Sequence, residues 1–290
     1  MKMKRIISRL LVTVFAISTV IAIPAQRVHA DAFKVVTLGA DLSSKQKEDM
    51  LKYFGVNRQE ASVLEVTNAE EAKYLAEVAS AKEIGTKSIS CSYVEPTDKG
   101  GLVISTNNIY WVSESMIKNA LITAGIKNAT VKVSAPFNVS GTAALTGILK
   151  GFENSSAGEK IDENKKEAAN QELVVTGKLG EKIGQDEAAG LINEVKKEVV
   201  KEKPKTDEEV KDIVVNIVNN YNYNLSQEDI DKIIAVMKKI SSLNLDFNAL
   251  KNQLNDVSKG LQAVLQSDEA QGFFEKIFRA IKAFFSELSS

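Results

Sequence analysis

The chain reads as an α+β or α/β N-terminal part, in which a β-α-β-α unit is duplicated, followed by an all-helical C-terminal region. Three observations predict this. Valine-rich runs alternate with well-capped helical stretches up to about residue 153. Two of those stretches, Ser43 to Gly55 and Ser113 to Gly125, have equal length and lie seventy residues apart. Each is followed by a short valine-rich run and then a helix rich in small residues, the signature of an internal repeat. Beyond residue 154, apolar residues recur every three or four positions with no alternating strand pattern.

The elements follow in order. "FKVVTLG" is a strand, and "LSSKQKEDMLKYFGV" a helix with Ser43 as N-cap, Gln46 closing a capping box, and Gly55 before Val56 at its end. "ASVLEV" is the second strand, and Thr67 with Glu70 caps "TNAEEAKYLAEVAS". "TKSISCSYVE" and "GLVISTNN" are strands on either side of the turn "PTDKGG". Ser113 then caps "VSESMIKNALITAGI", stapled by Val112 and Ile117 and closed by Gly125 and Ile126. "TVKVS" is the next strand. "VSGTAALTGILKGF" is the last helix of the second unit, with Ala143, Gly147 and Gly151 forming one small-residue stripe. A stripe of that kind lets a helix press closely against a neighbour.

Residues 154–205 are expected to be a polar helical connector, and residues 206–290 a helical region ending in an amphipathic helix. Thr206 with Glu209, and Ser226 with Asp229, start its first two helices. Phe247, Leu250, Leu254, Val257, Leu261 and Val264 make a coiled-coil-like seam.

The first thirty residues read as an export signal, with the α/β domain expected over residues 31–153. "MKMKRIISR" is basic, "LLVTVFAISTVIAI" apolar, and "VHA" gives a cleavage site before Asp31. Removing five basic residues with this segment leaves 32 basic against 38 acidic residues, a net charge of −6. No nucleic-acid partner is expected at that charge. The chain's single histidine, His29, leaves as well, which excludes Ser-His-Asp and Cys-His catalysis and histidine-ligated zinc. Cys91 is the lone cysteine, so no disulfide staples the fold, and the thiol is expected to be buried and inert.

Few places carry chemistry. Ser44/Lys47 and Ser115/Lys118 have Ser-x-x-Lys spacing, but both serines fall in first turns of helices and no Lys-Thr-Gly element follows. Ser140, Gly141 and Thr142 form a candidate anion nest at a helix start, weighed against close packing of that helix. Trp111, the only tryptophan, stands beside Tyr110 and either stacks a sugar ring or joins the core. No cofactor or metal motif appears, and no catalytic residue is nominated. In the last helix, Phe273, Phe274, Ile277, Phe278, Ile281, Phe284 and Phe285 share one apolar face. That face either closes a helical bundle or meets a partner, whether an envelope protein or a membrane surface.

"TLGADLSSKQKEDMLKYFGV", "NNIYWVSESMIKNALITAGIKNATVKVSAPFNVSGTAALTGILKGFE" and "EAANQELVVTGKLGEKIG" resemble the YpuA-like family of exported bacterial proteins, a domain of unknown function (number 1002). The resemblance implies export and an envelope context, and brings no activity, cofactor or site residue. The expected function is therefore a secreted or envelope-associated binding module without enzymatic activity. The alternative is a histidine-free, carboxylate-dependent hydrolase acting on cell-wall polymer.

Overall fold

The computed structural model describes residues 33–75, 79, 84–219 and 225–264, with side chains as far as residue 259. The segment of residues 1–30 expected to be an export signal and the Phe-rich face from Phe273 to Phe285 lie outside the described residues. Among the described residues, no helix is long and apolar enough to cross a membrane.

The N-terminal part holds β1 (Val35–Gly39), α1 (Ser44–Phe54), β2 (Ser62–Val66), α2 (Asn68–Leu75), β3 (Cys91–Pro96), β4 (Leu102–Ile109), α3 (Glu114–Thr123), β5 (Ala129–Val139) and α4 (Thr142–Glu153). The β-α-β-α order is thus present twice. One mixed sheet runs β2-β1-β3-β5-β4. β1 and β2 are parallel in the register Val35↔Ser62, and β4 and β5 are parallel from Leu102↔Ala129. β3 runs antiparallel to both inner strands, pairing Val94 with Val35 and with Val131. The strands joined by "PTDKGG" do not form a hairpin, because β5 inserts between them.

The twin helices α1 and α3 share their termini down to single hydrogen bonds. Ser43 accepts from the Gln46 amide, and Ser113 accepts from the Met116 amide. At the far ends Val56 N–H donates to Leu51 C=O at 3.1 Å and Ile126 N–H to Leu121 C=O at 3.0 Å. Gly55 and Gly125 supply the left-handed residue that this closure needs, at φ 71° and 87°. Their surroundings differ. Met50, Leu51 and Phe54 of α1 pack on Val36, Leu38, Cys91 and Tyr93, one face of the sheet. α3 and α4 cover the other face, over Val94, Val131 and Val133.

α4 lies flat on β1 and β3. A Cβ on Gly147 would stand 2.6 Å from Thr37 Oγ1, and one on Gly151 would stand 3.2 Å from Val94 Cγ2. The small-residue stripe is a packing surface, and what it meets is side chains of the sheet.

The remaining helices are α5 (Glu163–Ile183), α6 (Gln185–Glu202), α7 (Asp207–Asn219), α8 (Gln227–Ser242) and α9 (Phe247–Val264). Both later capping boxes form: Glu209 N–H donates to Thr206 Oγ1 at 3.2 Å and Asp229 N–H to Ser226 Oγ at 3.3 Å. Leu250, Leu254 and Val257 of the seam are buried against a core that runs without a break from the sheet into the helices. α5 and α6 fall inside the stretch expected to be a polar connector, yet they lie at the centre of the helical part. Ala188, Ala189, Leu191, Ile192 and Val195 are buried, and so are the polar residues Asn170, Glu172, Asn193 and Lys196. These polar residues find partners inside the core. Glu172 and Lys196 pair with each other and with α3. Asn170 bonds to Lys166 C=O and Thr146, and the Asn193 amide N–H donates to Leu254 C=O and Ser258 on α9.

Candidate functional site

All four parallel-running strands, β1, β2, β4 and β5, end at one edge of the sheet, where α2, α3 and α4 begin. Carboxyl ends of parallel strands are where open α/β sheets gather ligand sites. Here they gather a cleft of about 230 Å³. The corner between β4 and α3 gives it Tyr110 and Trp111. The start of α4 gives Ser140 and Thr142, α5 gives Val174, Lys178 and Glu181, and Leu75, Ala79 and Ile84 complete the wall.

The corner is held by its backbone. Tyr110 N–H donates to Val139 C=O at 3.0 Å and Val112 N–H to Ser140 C=O at 3.1 Å, so the aromatic pair is tied to the start of α4. Trp111 is half-buried, and its indole N–H donates to Glu181 Oε1 at 2.7 Å. Its ring lies on α5 at Gly177, where a Cβ would come within 2.2 Å of the indole Cη2. Tyr110 is not held in that way and is 68% exposed. The corner therefore presents one fixed aromatic ring and one free one.

The candidate nest lands on the same cleft. Gly141 is the N-cap of α4 at φ 92°, and no side chain caps the helix. Ser140 Oγ and Thr142 Oγ1 are 3.4 Å apart. Behind Thr142 stands Glu71, in the first turn of α2 and only 1% exposed. Burial pushes its carboxyl up to about 7, partly offset by the nearby Thr142 hydroxyl. Neither carboxyl oxygen completes a hydrogen bond among the described residues.

Sequence reasoning brought Ser140, Gly141, Thr142, Tyr110 and Trp111 forward separately, and the fold places them together. It passed over Glu71, Gly177, Lys178 and Glu181. A signal existed for each. Glu71 shares a helical stripe with Leu75, four residues on, while its neighbour Glu70 is used in the Thr67 capping box. Val174, Gly177, Lys178 and Glu181 fall on one face of α5 at spacings of three and four.

Other candidates are resolved elsewhere. Lys47 is paired with Glu65 at 2.6 Å. Cys91 is buried, and burial pushes its thiol up to about 11, far from a reactive thiolate. Among the described residues no three histidine, cysteine or acidic side chains are grouped to hold a metal ion.

Comparison with known proteins places this architecture. Residues 38–257 match the family model described as "Protein of unknown function (DUF1002)". The chain is 39% identical over 245 residues to "Uncharacterized protein YpuA" of Bacillus subtilis (strain 168), covering 84% of each chain. No solved structure matches the chain. The matched span runs from the end of β1 through the rest of the sheet, the cleft and the helices to most of α9, and on that extent the chain belongs to the DUF1002 family.

Proposed function

We propose that this protein is an exported, non-enzymatic binding module of the cell envelope, and that its cleft takes a neutral, hydroxyl-bearing ligand such as a sugar residue of envelope polymer. The observation that carries the reading is the convergence of an exposed Tyr110, a fixed Trp111 and the Ser140 and Thr142 hydroxyls on one cleft. Aromatic faces take the apolar face of a sugar ring, and hydroxyls pair with its polar edge. A neutral ligand is favoured over an anion, because the carboxyl of Glu71 already stands beside the first turn of α4. The envelope setting is supported by the basic, apolar and small-residue pattern of residues 1–30.

Trp111 is the only tryptophan, so intrinsic fluorescence reports on the cleft directly. Titration with N-acetylglucosamine oligomers and with solubilised wall glycan is expected to give a saturable change. Tyr110→Ala should weaken it about tenfold, the loss of one stacking partner. A folded protein whose fluorescence responds to no neutral saccharide would overturn the reading. The near-neutral carboxyl of Glu71 favours a second reading, the carboxylate-dependent hydrolase. Release of reducing ends from the same glycans, abolished in Glu71→Gln, would put that reading first.

A further inference from the structure

We propose that Glu71 sets the direction of the Thr142 hydroxyl, so that one proton exchanged behind the cleft wall switches that wall between donating and accepting a hydrogen bond. The inference rests on the reading of the cleft as a ligand site. Its basis is geometric: a carboxyl 1% exposed, both oxygens unpartnered among the described residues, beside a hydroxyl that itself lines the cleft.

The logic follows from what each group can do. A carboxylate only accepts, so ionised Glu71 draws the Thr142 proton inward and leaves a hydroxyl lone pair facing the cleft. A protonated carboxyl donates to Thr142 Oγ1 and turns the hydroxyl proton outward, where it can donate to a ligand. An unpartnered carboxyl buried in an apolar setting costs stability, and either arrangement supplies the missing bond. The setting is apolar: one turn beyond Glu71, Leu75 forms a small cluster with Ile84 and Val174, with Ala72 and Ala79 against it.

The charges brought near by the neighbouring helices are engaged or set on the cleft wall. From α4, Lys150 pairs with Glu70 at 2.5 Å. From α5, Glu163 pairs with Lys73 at 3.1 Å and with Lys166 at 2.7 Å, while Lys178 and Glu181 line the cleft. None of these charges contributes to the displacement of Glu71, which burial dominates. Its titration near 7 places the switch at ordinary pH.

The test has one arm without ligand and one with. In unliganded protein, carbon-detected NMR of labelled glutamate and of threonine methyls is followed from pH 5 to 9. The Glu71 carboxyl and the Thr142 methyl should share one midpoint, within about one unit of 7, and Glu71→Gln should abolish the Thr142 transition. A Thr142 signal that ignores the Glu71 titration, or a Glu71 midpoint in the ordinary carboxylate range, would overturn the proposal whether or not any ligand binds. In the second arm, N-acetylglucosamine oligomers, whose acetamido carbonyl only accepts, are titrated across the same range. Affinity is expected to fall threefold to tenfold as pH rises through the midpoint. The profile should be flat in Thr142→Val, which keeps the shape, and flat near the low-pH level in Glu71→Gln, whose amide donates to Thr142. A pH profile unchanged in Thr142→Val would overturn the proposal. Absence of saccharide binding with a coupled Glu71–Thr142 titration would refute the saccharide reading alone.

Discussion

α4 meets the sheet through glycines, whereas α5 and α6 meet each other and α3 through charges. On the sheet side, Gly147 and Gly151 lie over Thr37, Ser92 and Val94, and beneath them Thr37 and Ser92 form a buried hydroxyl pair at 2.6 Å. On the helical side, Lys196 Nζ donates to Glu172 Oε1 at 2.8 Å, to Asn119 C=O at 2.8 Å and to Thr123 Oγ1 at 3.2 Å. Thr123 in turn donates to Glu172 Oε2 at 2.5 Å. Both charged groups are buried. Burial lowers the affinity of Lys196 for its proton, and the Glu172 carboxylate opposes that shift. The sheet side buries small hydroxyls and depends on shape. The helical side also buries charged groups and depends on those charges being paired. The difference predicts different kinds of fragility.

The largest effect should come from separating the charges. Lys196→Met leaves Glu172 buried with Thr123 as its only side-chain donor among the described residues, and should cost about 3–5 kcal/mol. Replacing both partners, Lys196→Met with Glu172→Leu, should recover most of that, because the desolvation cost disappears with the second charge. Urea unfolding of the two singles and the double measures the coupling directly. A single mutant within about 1 kcal/mol of the parent would show that the network is incidental to the helical side.

This contrast also explains what could be read in advance. The sheet side was legible because its signals are local: a cap, a left-handed glycine, an alternating strand. Ser43, Thr67, Ser113, Gly55 and Gly125 all act within a few residues of themselves. On the helical side, residues 154–205 read as a polar connector, and "EVKKEVVKEK" within them has the composition of a solvated helix. Lys196 and Lys197 look alike there, yet Lys196 is buried and Lys197 half-exposed, reaching Glu194 at 3.7 Å. What separates them is a partner on α5, twenty-four positions away, and no local pattern encodes that pairing. The cleft falls between the two cases. Its residues carry local signals, but their meeting depends on how β4, β5, α2 and α5 are arranged.

The next effect tests the shape-dependent side. Gly147→Leu places a branched side chain where even a Cβ lies 2.6 Å from Thr37 Oγ1 and 3.3 Å from Ser92 Oγ. It should cost about 1–3 kcal/mol by overpacking, and lower the melting temperature. Thr37→Ala in the same chain should return part of the loss by opening space beneath α4. An unchanged melting curve for Gly147→Leu would show that α4 can lift from the sheet, and that shape matters less there than the contacts imply.

The smallest effect compares the twin caps, one in each setting. Ser43 is exposed at the start of a helix that lies on the sheet, and Ser113 is half-buried at the start of α3, which packs on α5, α6 and α9. Removing either hydroxyl orphans one backbone amide, that of Gln46 or of Met116. At Ser43 water can replace the lost acceptor, and Gln46 Oε1 still accepts from the Ser43 backbone at 2.9 Å. At Ser113 the third residue is Met116, whose sulfur is a weak acceptor 3.5 Å from the Ser113 N–H, and whose side chain is buried. Within the roughly 0.5–2 kcal/mol range of cap losses, Ser43→Ala should fall at the low end and Ser113→Ala at the high end. Equal losses, measured by urea unfolding, would mean that water reaches the start of α3 as freely as that of α1. The two copies would then be equivalent in energy as well as in hydrogen bonding. A larger loss at Ser113 would mean that the same local motif is worth more where its helix faces the core that holds the buried Lys196–Glu172 pair.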